Sequence, residues 1–289
     1  MDEISKITEK LQQEMNFFPV NVSLLKKGCY ADVYVFQDEH KANVVIKNYR
    51  FAGFAGQESA CIDLLKSRSN MPFPEIFMCD DDFGFLCMEY VDGKTLAELR
   101  TPSPSLAAET VDNLMNLHSV TIETDQMRAE EKWVETYCKK MRDILSRNER
   151  LVKDGVLSCD VYNCFERSYS RFPDMIKGNV DRLSLIHGDY TPWNIIVGNS
   201  EEHIKAVLDP YPPCIGDPEY DIMMLDKANG SRLGLCALFL QKAEISDAFP
   251  KKRIFYNAWN EFCHYYYSDR KKEMEIEKAA EALRKVCEK

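Results

Sequence analysis

The sequence LIHGDYTPWNIIV occupies residues 185–197, and KAVLDPYPPCIGDPEYDI follows it at residues 205–222. In each segment an apolar run leads into a polar loop, a pattern typical of a buried strand followed by a turn. The first loop carries Asp189 and Asn194, five residues apart, and the second begins with Asp209. We therefore expect three oxygen-bearing side chains at the ends of neighbouring strands.

These three side chains form the set that phosphoryl transfer requires. The reaction needs a carboxylate to orient an acceptor hydroxyl, and Mg²⁺ held by oxygen ligands to bridge the phosphates. We predict that Asp189 takes or orients the acceptor proton, and that Asn194 and Asp209 hold the metal. His187 is expected to brace the loop by hydrogen bonds rather than to act as the base. Turns use Asp, Asn and Gly in any case, but the ordered set on separate strand ends favours a site.

The order H-G-D-x-x-x-x-N, then L-D-P and G-D-P-E-Y-D-I, resembles the aminoglycoside phosphotransferase and choline kinase superfamily, small-molecule relatives of the protein kinases. In that resemblance residues 187–194 are the catalytic loop. Pro210, directly after Asp209, is more similar to fructosamine and streptomycin kinases than to protein kinases, which have Phe there. Asp217 resembles the Asp at a helix start that ties back to the catalytic-loop backbone.

The resemblance implies an α+β, protein-kinase-like bilobal fold. Residues 1–90 would form an N-terminal nucleotide-binding lobe, an antiparallel sheet plus a helix. Residues 91–289 would form a mainly helical C-terminal lobe for catalysis and substrate binding.

Nucleotide binding is assigned by the resemblance to the first lobe. Lys47 ends the apolar run VVIK, and its ammonium is expected to contact the α- and β-phosphates. Glu58 would pair with Lys47; alone, it would be an ordinary acidic residue near a helix start. In KKGCYADVYVF, residues 26–36, Gly28 would approach the phosphates and Val33 would cover the adenine. Without the resemblance this segment predicts only a hairpin.

The apolar strand FLCMEYV, residues 85–91, resembles the kinase hinge. Met88 would border the adenine pocket, and the backbone of Glu89 and Val91 would hydrogen-bond the base. The DFG sequence at residues 82–84 precedes the catalytic loop, so we interpret it as a hairpin turn rather than a metal-binding motif.

The remaining segments have helical patterns. TLAELR, residues 95–100, is expected to begin one helix, which the Pro- and Ser-rich residues 101–105 interrupt. A second helix would place Val111, Leu114, Met115 and His118 on one face, with His118 as a core or capping histidine. Several helices are expected across residues 121–180. The aromatic residues of the last third are expected to form core first and a wall of the acceptor pocket second.

Composition narrows the class of protein. The 289 residues are 45% apolar, enough for a full core. The net charge of −10 disfavours nucleic acid as a partner. Eleven cysteines without a C-x-x-C pair indicate a reduced, cytoplasmic protein rather than a disulfide or zinc framework. The N-terminal sequence MDEI is acidic and is not followed by an apolar core, so we expect no targeting segment. No apolar run approaches membrane-spanning length, so we expect no membrane insertion.

The function predicted from these features is phosphorylation of a small-molecule hydroxyl, using ATP (or GTP) and Mg²⁺. The acceptor would be an aminoglycoside or a related amino sugar. Two alternatives stay open: a fructosamine or other sugar kinase, and a pseudo-kinase that binds nucleotide without transferring phosphate. Lys47 and the three loop side chains argue against the pseudo-kinase. The sequence leaves the oligomeric state undetermined.

Overall fold

The computed structural model describes residues 3–124, 127–268 and 271–287. The first lobe is a five-stranded antiparallel sheet with two helices. Its elements are α1 Glu3–Met15, β1 Pro19–Lys27, β2 Ala31–Asp38, β3 Asn43–Tyr49, α2 Phe54–Arg68, β4 Ile76–Asp80 and β5 Phe85–Glu89. The strand order β1-β2-β3-β5-β4 places β3 at the centre of the sheet.

The pattern of buried residues explains how the elements of the first lobe pack together. Ile7 and Leu11 of the amphipathic helix α1 pack on sheet residues that include Phe36 and Ile46. By contrast β1 is the sheet edge and is exposed along almost its whole length. The DFG sequence lies in the turn between β4 and β5, as predicted.

The second lobe is mainly helical. Its helices are α3 Pro104–His118, α4 Ala129–Lys153, α5 Cys159–Ile176, α6 Glu219–Ile222, α7 Gly230–Leu233, α8 Leu235–Lys242, α9 Phe249–Tyr267 and α10 Glu273–Cys287. Its short strands are β6 Lys94–Thr95, β7 Thr121–Ile122, β8 Leu183–Leu185, β9 Ile195–Val197, β10 Ile204–Val207 and β11 Ile215–Gly216. They pair as two antiparallel sheets, β10-β9-β6 and β11-β8-β7. The catalytic loop leaves one sheet at β8 and enters the other at β9.

The prediction of a helix across residues 95–100 is wrong. The segment makes only a 3-10 turn, Leu96–Glu98, which Thr95 and Glu98 close with reciprocal side-chain to backbone bonds. Prolines at positions 102 and 104 disfavour helical backbone just before them, so a helix cannot continue. Helix α3 then starts separately, with the Ser103 hydroxyl accepting from the Leu106 N–H.

Aromatic residues of the 121–180 segment and of the last third form core, as expected. Trp133 of α4, Phe165 of α5 and Trp259 and Phe262 of α9 are fully buried. The rings of Phe165 and Phe262 stack with centroids 3.9 Å apart. This contact joins α5 to α9, the helix that lines one end of the cleft between the lobes.

No helix within the described ranges is long and apolar enough to cross a bilayer. No disulfide joins any of the cysteines in those ranges.

Candidate active site

Asp221 anchors the catalytic loop through hydrogen bonds to the loop backbone. This buried carboxylate accepts the His187 N–H and the Gly188 N–H, each at 2.7 Å, and lies 3.1 Å from His118 Nε2. Gly188 has φ +82°, and a Cβ there would lie 1.8 Å from the Tyr211 carbonyl oxygen. The loop therefore needs both the carboxylate and the glycine.

The prediction that Asp217 ties back to the loop is wrong, because Asp221 does so. Asp217 instead accepts the Tyr256 hydroxyl at 2.8 Å and pairs with Lys252 Nζ at 2.6 Å. Asp217 lies between β11 and α6, and Asp221 lies four residues later, in α6. The sequence alone could therefore not decide which of the two carboxylates reaches the loop.

We expect Asp221→Ala to lower the free energy of unfolding by about 3 to 5 kcal/mol. The substitution leaves two buried N–H groups and His118 without their acceptor. Urea unfolding measures the loss, and Asp226→Ala, which removes a partly exposed ion pair with Arg253, is the matched control. A loss below about 1 kcal/mol for Asp221→Ala would contradict this account of the loop.

His187 braces the loop in its neutral form. Its Nδ1 accepts the Asp189 N–H at 3.2 Å, and its ring stacks on Phe73 with centroids 6.0 Å apart. Burial lowers the pKa of His187 to about 4. Its imidazole carries no charge at neutral pH, as the bracing role requires.

Asp189 and Asn194 are in direct contact. The Asn194 Nδ2 group donates to the Asp189 backbone oxygen at 2.9 Å and to Asp189 Oδ2 at 2.8 Å. Because both partners are acceptors, the amide orientation is fixed. The Asn194 Oδ1 atom remains as a possible ligand for a cation.

Burial, with the nearby Asp209 carboxylate, raises the pKa of Asp189 to about 7. In an unfolded chain the pKa of an Asp is about 3.9. Between these values the folded protein binds a proton that the unfolded chain does not, so this group's contribution to stability falls as pH rises from 4 to 7.

We therefore expect Asp189→Asn to raise the free energy of unfolding at pH 8 by roughly 1 to 3 kcal/mol. The gain should fade toward pH 4, where both forms of the chain bind the proton. Urea unfolding of both proteins across this pH range measures it. A gain that stays constant with pH would show that Asp189 does not have a raised pKa.

Lys47 pairs with one carboxylate from each lobe. Its Nζ lies 2.5 Å from Glu58 Oε2 of α2 and 2.8 Å from Asp209 Oδ1, and the Tyr49 hydroxyl also donates to Glu58. Burial works to lower the pKa of Lys47, but the two carboxylates raise it well above its usual value. Lys47 is therefore cationic at neutral pH.

Asp209 points into the cleft. Its side chain is 45% exposed, and its backbone is left-handed, with φ +59°. Burial raises the pKa of Asp209, but the neighbouring Lys47 ammonium lowers it. The pKa of Asp209 therefore lies below its usual value. Of the described residues other than glycine with positive φ, Asp209 is the one that lines the cavity.

A cavity of about 900 Å³ lies between the lobes. Seven of the predicted site residues line it: Gly28, Val33, Lys47, Glu58, Asp189, Asn194 and Asp209. The predicted hinge residues Met88, Glu89 and Val91 do not line this cavity. The Glu89 N–H donates to the Glu75 carbonyl at 2.8 Å, so a base could meet Glu89 only through its carbonyl oxygen.

The other end of the cavity, which we call the α9–α10 end, was not assigned residue by residue from the sequence. It is lined by Lys227, Asn260, Glu261, His264, Tyr265, Lys272 and Glu275. Lys227 Nζ pairs with Glu261 at 2.5 Å. Tyr30, at the tip of the β1–β2 hairpin, reaches this end, and its hydroxyl oxygen lies 3.3 Å from His264 Nδ1. Helical periodicity predicts such residues as core, and only the fold shows that they border a cavity.

Residues 21–235 match the model of the phosphotransferase enzyme family. Among solved structures, the chain is similar to a protein assigned as a fructosamine-3-kinase from Thermobifida fusca (17% identity, 96% of this chain and 98% of that one, TM-score 0.69). It is also similar to the ADP-bound aminoglycoside phosphotransferase APH(2'')-Ib (19%, 96% and 96%, TM-score 0.60). A choline/ethanolamine kinase family protein from Mesorhizobium loti matches at 12% (100% and 96%, TM-score 0.65).

No curated protein is detectably similar to the chain in sequence. The structural matches confirm the protein-kinase-like bilobal fold predicted from the sequence.

Proposed function

Because the chain belongs to the phosphotransferase enzyme family, we propose that it uses ATP or GTP, with Mg²⁺, to phosphorylate a hydroxyl of a small amino-sugar-type molecule. The observation that carries the proposal is that Lys47, Asp189 and Asp209 border one cavity, with Lys47 held against Asp209 across the cleft. In this proposal, residues 1–90 bind the nucleotide, and residues 91–289 supply the catalytic loop and the acceptor site. A cytoplasmic location belongs to the same proposal.

The phosphate end of the cavity is defined by its cations. Lys26 and Lys27 of β1 and the buried Lys47 line the side formed by the first lobe. Gly28 lies between them and the hairpin tip, where a Cβ would lie 2.8 Å from the Ala31 carbonyl oxygen. Ammonium groups and an approachable backbone suit a nucleoside triphosphate.

The residues present fit a magnesium ion that shares its ligands with the nucleotide. Asn194 Oδ1 and the Asp209 carboxylate are two oxygen ligands on the cavity wall. Over the described ranges, no group of three or more His, Cys, Asp or Glu residues could hold a metal alone. Mg²⁺ usually takes one or two protein ligands and completes its shell with phosphates and water. When bound, it would neutralise charge on the phosphates.

Asp189 is suited to accept the proton of the acceptor hydroxyl. A general base is most effective when its pKa lies near the working pH, and the pKa of Asp189 is raised to about 7. The neutral His187 ring uses Nδ1 on the loop backbone and does not line the cavity.

The α9–α10 end favours an acceptor with few charges. Its described side chains include two lysines, Lys227 and Lys272, and two glutamates, Glu261 and Glu275. A polycationic aminoglycoside would meet the lysines as well as the glutamates, which is unfavourable. A ketosamine formed from a sugar and an amino acid carries an amine and a carboxylate, so it could pair with both signs. This charge pattern favours the fructosamine-type alternative as a second candidate.

A coupled nucleotide-consumption screen tests the proposed function. The acceptors are aminoglycosides, glycated amines, choline-like alcohols and simple sugars, each assayed with Mg·ATP and Mg·GTP. Turnover with one class and not the others identifies the acceptor. Tight Mg·ATP binding with no transfer to any acceptor would instead support the pseudo-kinase.

A further inference from the structure

Trp193 is an exposed aromatic residue that lines the cavity. The chain contains three tryptophans, and Trp133 and Trp259 are fully buried, whereas Trp193 is 48% exposed. Trp193 lies in the catalytic loop directly before Asn194 and lines the cavity. Exposing a large aromatic ring in a ligand cavity loses the free energy of burial unless a ligand covers it.

The position of Trp193 along the cleft follows from its neighbours in both lobes. The turn Pro192–Asn194 packs against the 3-10 turn Leu96–Glu98, which follows the predicted hinge. From the first lobe, Lys26 Nζ lies 5.7 Å from the centre of the Trp193 ring. Lys26 pairs with Val33 across the β1–β2 hairpin. Trp193 thus faces the body of the hairpin.

The tip of the same hairpin faces the α9–α10 end instead. The Tyr30 ring lies 4.6 Å from that of Tyr267 and 5.8 Å from that of Tyr211, measured between centroids. An acceptor at that end would therefore lie against the hairpin tip, whereas Trp193 faces the body of the hairpin. The ring lies between the 3-10 turn Leu96–Glu98, which follows the predicted hinge, and Asn194, which would hold the metal.

We propose that Trp193 is the platform on which the ribose of the nucleotide lies, with Lys26 closing over that sugar from the first lobe. This inference rests on the proposed function, because it assumes a nucleotide in the cleft. The face of the indole ring contacts the C–H face of the sugar. The exposed Lys26 side chain is long enough to leave the ring and reach a phosphate.

Calorimetry with ligands that contain or lack ribose tests the role of Trp193. We expect Trp193→Leu to raise the Kd for Mg·ATP and Mg·UTP by the same factor, roughly 10-fold, because both carry ribose. The Kd for Mg·tripolyphosphate, which lacks ribose, should change less than about twofold. Trp193→Phe should keep most of the affinity, because it keeps an aromatic face. Phe18→Leu, which removes an exposed ring outside the cavity, is the control.

Quenching of tryptophan fluorescence in the wild-type protein gives a second measurement that needs no substitution. Iodide should quench Trp193, the exposed tryptophan, and Mg·ATP should protect it while Mg·tripolyphosphate does not. Equal protection by both ligands, unequal losses for ATP and UTP, or an unchanged Kd in Trp193→Leu would overturn the ribose platform alone. A wild-type protein that binds neither Mg·ATP nor Mg·GTP would overturn the proposed function as well.

Discussion

Asp189→Asn is expected to lower kcat for phosphoryl transfer by roughly 10³-fold, while the Kd for Mg·ATP stays within about threefold of the parent value. The carboxamide cannot take the acceptor proton. Its oxygen can still accept from Asn194 Nδ2, so the geometry of the loop is preserved. Single-turnover kinetics with the best acceptor measure the chemical step, and calorimetry measures nucleotide binding.

The ratio of the two effects identifies the role of Asp189. A metal ligand would lose nucleotide affinity and rate together, whereas a base loses rate alone. Asp143→Asn, which removes an exposed carboxylate on α4, is the control for the change in net charge. Comparable losses of affinity and rate in Asp189→Asn would show that the general-base assignment is wrong.

The sequence could predict the catalytic loop because its chemistry is local. His187, Asp189 and Asn194 lie within eight consecutive residues, and short apolar runs on both sides place them between strands. Lys47 and Glu58 could be paired through the resemblance to the kinases, which expects a strand lysine and a helix glutamate at about this separation along the chain. These features depend on spacing along the chain, which a sequence displays directly.

Features that depend on tertiary contacts could not be predicted in the same way. Asp217 and Asp221 are both acidic residues that follow the same short strand, and only the folded chain shows that Asp221 reaches the loop. Tyr30 and His264 are 234 positions apart, and only the folded chain brings them together. Trp193 has the sequence pattern of an ordinary turn residue, and its exposure in the cavity is what indicates a ligand contact. The α9–α10 end is therefore the part of the cavity that the sequence left open.

Asp209→Asn is expected to raise the Kd for Mg·ATP by roughly 10- to 100-fold. The carboxylate is the only charged metal ligand proposed for this site, and Asn is a weaker ligand of similar shape. Asn also tolerates the left-handed backbone at this position better than Ala would. The substitution therefore tests the charge of Asp209 without adding backbone strain.

The sign of the effect without metal separates this role from a general contribution to binding. When EDTA has removed Mg²⁺, ATP carries its full negative charge, and the Asp209 carboxylate repels its phosphates. Asp209 also pairs with Lys47 at 2.8 Å. Neutralising Asp209 removes the repulsion and frees Lys47 for the phosphates. Metal-free ATP should therefore bind Asp209→Asn as tightly as the parent, or more tightly. Equal weakening with and without Mg²⁺ would mean that Asp209 supports the fold of the cleft rather than a cation.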